Sequence, residues 1–318
     1  MIPGFVLPSH SISFPHVRHI TFQERYYFPT WDAQLFELLL FACPNLTRLS
    51  FEGDSGFILS SVQELDVITN AVSKSLQICE FINFGQHGDT IENDSDEDYP
   101  NRVTPEILND RMNTYPNLCE LHVNLRHGRK TSKMLLQCAS VERTLPPWMC
   151  RIRTLKLFYL RQNPDILQLL RLFPNVTKLV VTPLIEYQYE GGWSPTFQCL
   201  SGKYFQFSEF LTTLATAFPK LQVLELNNLA WVCAVSTSIE ALKQLVLMAP
   251  NLKRIEWICV THFWELMEED MDGAQEEADA VLSVLRGFRK GEEWKELKNV
   301  AKGCGVLICP RDEERELE

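Results

Sequence analysis

The chain has 318 residues, of which 45% are hydrophobic and 22% are charged, so a largely disordered or collagen-like chain is excluded. Its 30 basic and 41 acidic residues give a formal net charge of −11, which argues against general binding of nucleic acid. No apolar stretch approaches the roughly 20 residues that span a bilayer, so no membrane segment is expected.

The amino-terminal residues and the cysteines bear on localisation and cofactors. The start, MIPGFVLPSHS, lacks the basic residues and apolar core of a signal peptide. The ten cysteines include no C-x-x-C pair, and the seven histidines form no set with metal-ligand spacing. We therefore expect a cytoplasmic or nuclear protein with reduced cysteines and with no metal or other cofactor.

One pattern returns along the chain: an apolar residue followed by Pro-Asn-Leu-x-x-Leu-x-Leu. It occurs as FPHVRHITF, CPNLTRLSF, YPNLCELHV, FPNVTKLVV, FPKLQVLEL and APNLKRIEW. Two degenerate copies, KSLQICEF and RIRTLKL, lack the proline. We take as equivalent Pro15, Pro44, Lys74, Pro116, Cys150, Pro174, Pro219 and Pro250, which gives eight copies separated by 24 to 45 residues.

Each copy predicts a helix that ends at the proline and a strand that follows it. Apolar residues with helical spacing precede the copies, as in WDAQLFELLLFAC before Pro44. Proline ends a helix because it lacks the N–H and disfavours helical geometry in the residue before it. Beyond it the apolar residues alternate, as do Leu121 and Val123, which indicates a strand. Thr237 and Glu240 fit a capping box that would begin a later helix.

The PNL-x-x-L-x-L form resembles a divergent leucine-rich repeat over residues 14–260, and it is similar to the repeat regions of F-box/leucine-rich-repeat proteins, especially fungal ones. The resemblance implies an α/β solenoid of the ribonuclease-inhibitor type, with parallel strands on the concave face and helices on the convex face. It also implies a protein-interaction scaffold similar to the substrate-recognition part of an F-box subunit of a ubiquitin ligase. Leu7-Pro8 leaves no room for an F-box before the first copy, so a cullin ligase complex is expected as a partner only if an F-box is supplied.

Two segments interrupt the expected solenoid. Residues 86–104 contain the acidic run DTIENDSDEDY, which lacks the Gly and Glu of an EF-hand loop and is expected to be a solvated loop. Residues 184–207 are rich in aromatic residues, which either form a partner-binding patch or pack on the edge of the solenoid. The candidate binding residues in this aromatic loop are Tyr187, Tyr189 and Trp193.

The ends of the chain lie outside the repeats. Residues 1–13 form a lead-in, and residues 261–318 comprise an acidic linker, a terminal cap and a charged tail. In the cap we expect a helical stripe within residues 278–288, a helix around Trp294 and Leu297, and a last strand at residues 306–308.

The sequence shows no catalytic motif, and the chain is not expected to be an enzyme. Cys119 and His122 lie three residues apart on a predicted strand and so point to opposite faces, which excludes a nucleophile–base dyad. Two alternatives to the ubiquitin-related scaffold stay open: a repeat protein that acts as an unrelated regulator or inhibitor, and a hydrolase with dispersed catalytic residues.

The residues between the leucines of each strand are expected to line the concave face. They mix both charges with apolar groups, which suits a specific protein partner better than a polyanion, although a solvated face without a ligand remains the alternative. The candidate partner-binding residues are Arg48, Ser50, Glu120, His122, Lys156, Phe158, Lys178, Val180, Glu225, Asn227, Arg254 and Glu256.

Overall fold

The computed structural model describes residues 13–23, 33–52, 62–72, 74–80, 103–125, 129–141, 144–160, 166–183, 207–227, 231–259 and 291–312. The segments 184–206 and 260–290, which contain Tyr187, Tyr189, Trp193 and the helical stripe expected within residues 278–288, lie outside these ranges.

Nine strands of the described residues form a single parallel sheet in which the spatial order is the chain order. The eight copies of the sequence pattern supply the first eight strands, and the segment expected to end the cap supplies the ninth. The strands are β1 His19–Gln23, β2 Arg48–Glu52, β3 Ile78–Cys79, β4 Glu120–Asn124, β5 Thr154–Leu160, β6 Lys178–Pro183, β7 Val223–Asn227, β8 Arg254–Cys259 and β9 Leu307–Asp312.

Helices connect successive strands, and neighbouring helices pack on one another in a second layer. The helices of the described residues are α1 Ala33–Ala42, α2 Val62–Val72, α3 Pro105–Asn113, α4 Arg129–Val141, α5 Pro147–Arg151, α6 Ile166–Leu170, α7 Phe207–Ala217, α8 Trp231–Met248 and α9 Glu292–Gly303. Packed helices need about 8–10 Å each, whereas neighbouring strands need about 4.8 Å, so the stack curves with its strands on the concave face.

The leucines of the pattern align in register across the sheet. The second residue of each strand from β2 to β8 is buried, and these residues form a continuous column against the helices. In this column Leu49 pairs with Cys79, Cys79 with Leu121, Leu121 with Leu155, Leu155 with Leu179, and Leu179 with Leu224. The alignment confirms an α/β solenoid of the leucine-rich-repeat type, in which each repeat buries its apolar face against its neighbours.

The asparagine of the pattern joins each repeat to the one before it. Its amide nitrogen donates to a backbone carbonyl at the position that the sequence alignment equates with proline. The bonds run from Asn45 to Pro15 (3.0 Å), from Asn117 to Lys74 (2.7 Å), from Asn175 to Cys150 (2.8 Å) and from Asn251 to Pro219 (2.8 Å). The two degenerate copies thus provide their acceptors from the expected residues, Lys74 and Cys150.

The expected helix boundaries hold at the prolines and fail at one capping box. Helix α1 ends at Ala42, two residues before Pro44, and α8 ends at Met248, two residues before Pro250. However, α8 begins at Trp231, so Thr237 lies inside the helix and does not cap it. The sequence from Trp231 to Val235 contains no Gly or Pro that would stop the helix from extending past the capping signal.

The cap expected at the end of the array is a further helix-and-strand unit. Helix α9 packs on α8 and buries Trp294, Leu297 and Ala301, while β9 pairs with β8 from Leu307 onward. Among the helices that the structure describes, none has both the length and the apolar character needed to cross a bilayer.

Candidate binding surface on the concave face

Strand alternation places the candidate residues on the side of the sheet opposite the helices. Their backbone positions form rows across neighbouring strands, because all strands share one register. His122 pairs with Lys156, Lys156 with Val180, Val180 with Glu225, and Glu225 with Glu256. A second row joins Glu120, Thr154, Lys178, Val223 and Arg254. Phe158 and Asn227 occupy a third position along their strands, and the side chain of Asn227 lies outside the described residues.

Five polar side chains, four of them charged, form a continuous chain of contacts from β2 to β5. Arg48 Nη2 lies 2.9 Å from Glu80 Oε1, which also lies 2.8 Å from His122 Nδ1. On the other side of the imidazole, His122 Nε2 lies 2.5 Å from Glu120 Oε1, and the same oxygen lies 2.8 Å from Lys156 Nζ. Carboxylates and nitrogen groups therefore alternate along the sheet, and each glutamate bridges His122 and one lysine or arginine.

Polar contacts extend this chain toward the first strand. Arg48 Nε donates to Ser50 Oγ at 3.0 Å, and His19 Nε2 lies 2.9 Å from the same hydroxyl oxygen. Thr21 Oγ1 lies 3.1 Å from His19 Nε2. The network therefore reaches from β1 to β5 without an interruption.

The second half of the concave face contains separate ion pairs. Lys178 Nζ lies 2.8 Å from Glu225 Oε2, and Arg254 Nε lies 2.7 Å from Glu256 Oε1. Val180, which is only 2% exposed, occupies the row position between Lys156 and Glu225. An apolar side chain therefore separates the continuous network from these two pairs.

The lysines and arginines of this surface are more exposed than the carboxylates that contact them. The side chain of Arg48 is 38% exposed against 11% for Glu80, and that of Lys178 is 39% exposed against 14% for Glu225. A glutamate side chain is shorter than lysine or arginine, so it stays near the sheet while the cation extends over it. The groups that meet solvent are consequently the cations.

Four candidate residues are nearly fully buried, which corrects the expectation that all twelve are exposed to a partner. The short side chains of Ser50 and Val180 lie between longer side chains on strands only about 4.8 Å away. His122 and Glu256 are enclosed with their ion-pair partners. The exposed fractions are 1% for Ser50, 2% for Val180, 7% for His122 and 6% for Glu256. These four side chains support the exposed residues and do not themselves form the outer surface.

The ion pairs change the protonation equilibria of two glutamates. Burial by itself would raise the pKa of Glu120, but hydrogen bonds from His122 and Lys156, together with their charges, lower it to about 2. Glu80 behaves in the same way: burial opposes ionisation, yet hydrogen bonds from His122 and Ser50 and the charge of Arg48 hold its pKa below the ordinary value. Both carboxylates are therefore ionised near neutral pH.

His122 is fixed between these two carboxylates and also contacts an aromatic ring. The ring centroid of Phe158 lies 5.8 Å away with an interplanar angle of 57°. The imidazole thus joins the ionic network to the apolar part of the concave face.

The structure does not arrange Cys119 and His122 as a nucleophile and its base. Both ring nitrogens of His122 already contact glutamates, and burial followed by the charge of Glu120 raises the pKa of the Cys119 thiol. In the described ranges, no group of three or more His, Cys, Asp or Glu side chains is arranged to hold a metal ion.

Glu80 connects Arg48 to His122, although it is not among the twelve candidate binding residues. Alternation in the degenerate copy KSLQICEF predicts that Glu80 lies on the concave face beside His122, one residue after Cys79 of the buried column. The sequence therefore predicts the face on which Glu80 lies, and the structure adds its bridging contacts.

No protein-family model matches the chain, and no curated protein matches it. Among solved structures, the chain is similar to the leucine-rich-repeat-containing protein LegL7 from Legionella pneumophila, with a TM-score of 0.43 and 16% sequence identity. The similarity covers 82% of this chain and 69% of LegL7.

Proposed function

We propose that this protein is an interaction scaffold that binds a partner protein on its concave face. The observation that supports this proposal is the row of exposed cations that deeper glutamates hold in place from β2 to β8. Side chains that are already fixed lose little conformational freedom when a partner binds, so more of the contact energy contributes to affinity.

The balance of charge on this face favours a protein partner. Four partly exposed lysines and arginines stand against four glutamates, so the surface has a defined pattern of charge with little net charge. Apolar groups lie beside them, including Phe158 and Val223, which are partly exposed. A protein surface with mixed polar and apolar groups complements such a face, whereas a polyanion would meet the glutamates as well as the cations. We propose direct contacts from Arg48, Lys156, Phe158, Lys178 and Arg254.

A finer proposal follows from the form of the repeats. Because PNL-x-x-L-x-L is similar to the repeats of F-box proteins, we propose that the scaffold recognises a substrate for ubiquitin ligation. In that case the concave face binds the substrate, and contact with a cullin complex depends on an F-box and not on this face.

The test is affinity purification of the full native gene product followed by mass spectrometry. One variant combines Phe158→Ala and Lys178→Ala on the concave face. The matched control combines Phe41→Ala and Lys133→Ala, which truncates the same residue types at exposed positions on helices. We expect a partner to be captured by the wild type and the control and lost from the concave-face variant. The scaffold proposal fails if no captured protein depends on Phe158 and Lys178.

The same experiment separates the two levels of the proposal. Cullin-complex subunits that co-purify with all three proteins, together with a partner that the concave-face variant loses, support the ubiquitin-related role. A partner with the same dependence but without cullin subunits leaves the scaffold proposal standing and favours an unrelated regulator or inhibitor.

A further inference from the structure

A row of exposed basic residues follows the edge of the sheet at which the strands begin. The residues lie in the connections that lead from a helix into a strand, or directly before β1. We call this row the basic ledge; it consists of Arg18, Lys74, Arg153, Arg171, Lys220 and Lys253. The described parts of these connections contain no Asp or Glu, although acidic residues outnumber basic ones in the whole chain.

Three cations of the ledge contact neutral oxygens. Arg18 Nη1 donates to the backbone carbonyl of Asn45 at 3.0 Å, and Arg153 Nη1 donates to that of Asn175 at 3.2 Å. Lys220 Nζ donates to Asn175 Oδ1 at 2.6 Å. These contacts orient the side chains without cancelling their charge. No carboxylate of the described residues forms an ion pair with any of the six cations.

The repeat geometry concentrates the ledge in its second half. Asn175 brings Arg153 and Lys220 together, because it accepts a hydrogen bond from each, through its backbone and its side chain respectively. Its own amide is fixed by the bond to Cys150. Arg171 and Lys253 belong to the same group of four successive repeats, which end in β5 to β8. At about 4.8 Å per strand these repeats span roughly 15 Å, the length of about five residues of extended peptide.

We propose that the basic ledge binds an acidic segment, rich in Asp and Glu, of a protein partner, at a site separate from the concave face. Uncompensated cations attract carboxylates, and their fixed orientation lets one extended segment contact several repeats. Salt screens charges that lie more than about 8–10 Å apart, so the cations of the ledge attract only groups close to them. A short peptide can lie entirely within that distance. A long nucleic acid would also meet the repulsion of a chain whose net charge is −11.

The experiment measures binding of a fluorescent peptide in which Asp and Glu alternate with Ser, using the full chain and fluorescence anisotropy. A peptide of the same length with Asn and Gln in place of the acids reports on contacts that do not depend on charge. The ledge variant is Arg153→Glu with Lys220→Glu. The control variant, Lys133→Glu with Lys298→Glu, changes the net charge equally at exposed positions on α4 and α9.

We expect the acidic peptide to bind the wild type and the control alike, to bind the ledge variant about tenfold more weakly, and to lose affinity as salt rises from about 0.05 to 0.15 M. The neutral peptide should not bind. Equal losses in the two variants, or no loss in the ledge variant, would overturn the proposal. So would a single-stranded oligonucleotide of equal charge that binds the ledge more tightly than the peptide.

Thermal unfolding of the wild type and of each variant shows whether the substitutions leave the chain folded. If the double charge reversal unfolds the chain, Arg153→Gln with Lys220→Gln replaces it, with Lys133→Gln and Lys298→Gln as the control. The variant with Arg153→Gln and Lys220→Gln must still bind the acidic peptide more weakly than its control does. Equal affinities of the two variants would overturn the proposal. Neither variant alters a residue proposed to contact a partner on the concave face, so failure here leaves that proposal intact.

Discussion

The concave face and the basic ledge both display lysines and arginines, but different groups contact these cations in the two regions. On the concave face Arg48 and Lys178 each meet a glutamate within 2.9 Å. On the ledge, Arg18 and Lys220 contact a backbone and an amide oxygen, respectively, among the residues that the structure describes. The difference shows that a row of cations does not by itself define an electrostatic surface, because the partner beneath each cation decides whether its charge remains available.

The difference originates in where the residues stand relative to the strands. Neighbouring strands bring side chains from different repeats side by side, so a glutamate on one strand lies next to a cation on another. The connections before the strands instead expose backbone carbonyls, which accept hydrogen bonds without carrying a full charge. The concave face is therefore stabilised by ion pairs within the sheet, whereas the cations of the ledge form no ion pair with the described carboxylates.

The largest effect on this comparison should follow from removing a glutamate of the concave face. Glu120→Gln deprives both His122 and Lys156 of a charged acceptor, and we expect the free energy of unfolding to fall by about 1–3 kcal/mol. Glu37→Gln, at an exposed position on α1, should change it by less than about 0.5 kcal/mol. Urea denaturation measures both. Equal midpoints for Glu120→Gln and the wild type would show that the network contributes nothing to stability.

Acid should weaken the concave face for the same reason. The pKa of Glu120 is about 2 in the folded protein and about 4.3 in an unfolded chain, so its contribution is fully present above the unfolded value. That contribution is lost as pH falls from about 4.5 toward 2, and the lowered pKa of Glu80 acts in the same direction. Urea denaturation across this range should show a smaller loss of stability for Glu120→Gln than for the wild type. If the stability of the two proteins fell equally with pH, the lowered pKa of Glu120 would be contradicted.

The smallest effect should be found at the ledge. Asn175→Ala removes the bond to Cys150 and the acceptor of Lys220, and we expect a loss of about 1 kcal/mol in the free energy of unfolding. Lys220→Gln should change it by less than about 0.5 kcal/mol, because an exposed cation with a neutral partner contributes little to stability. Thermal unfolding of the two variants distinguishes them. A larger loss for Lys220→Gln would mean that the ledge is part of the framework.

Most of the architecture follows from the repeat pattern, and this includes the two degenerate copies that lack proline. Lys74 and Cys150 have no proline, yet their carbonyls accept the bonds that the alignment assigns to that position. Helix starts were less predictable. The capping signal at Thr237 was overridden because nothing between Trp231 and Thr237 prevents a helix, and packing of α8 on its neighbours stabilises the longer element.

The sequence by itself determined the order of the strands, their register and the faces to which their residues point. These properties arise from local signals that lie within a single repeat: a residue that ends the helix, then alternation along a strand. Only the tertiary structure decided which charges of the described residues form ion pairs and which do not. Arg48 meets Glu80, and Lys178 meets Glu225, across separations of more than 30 residues. Such contacts depend on the distance between stacked strands and on the reach of each side chain, which one repeat alone does not contain.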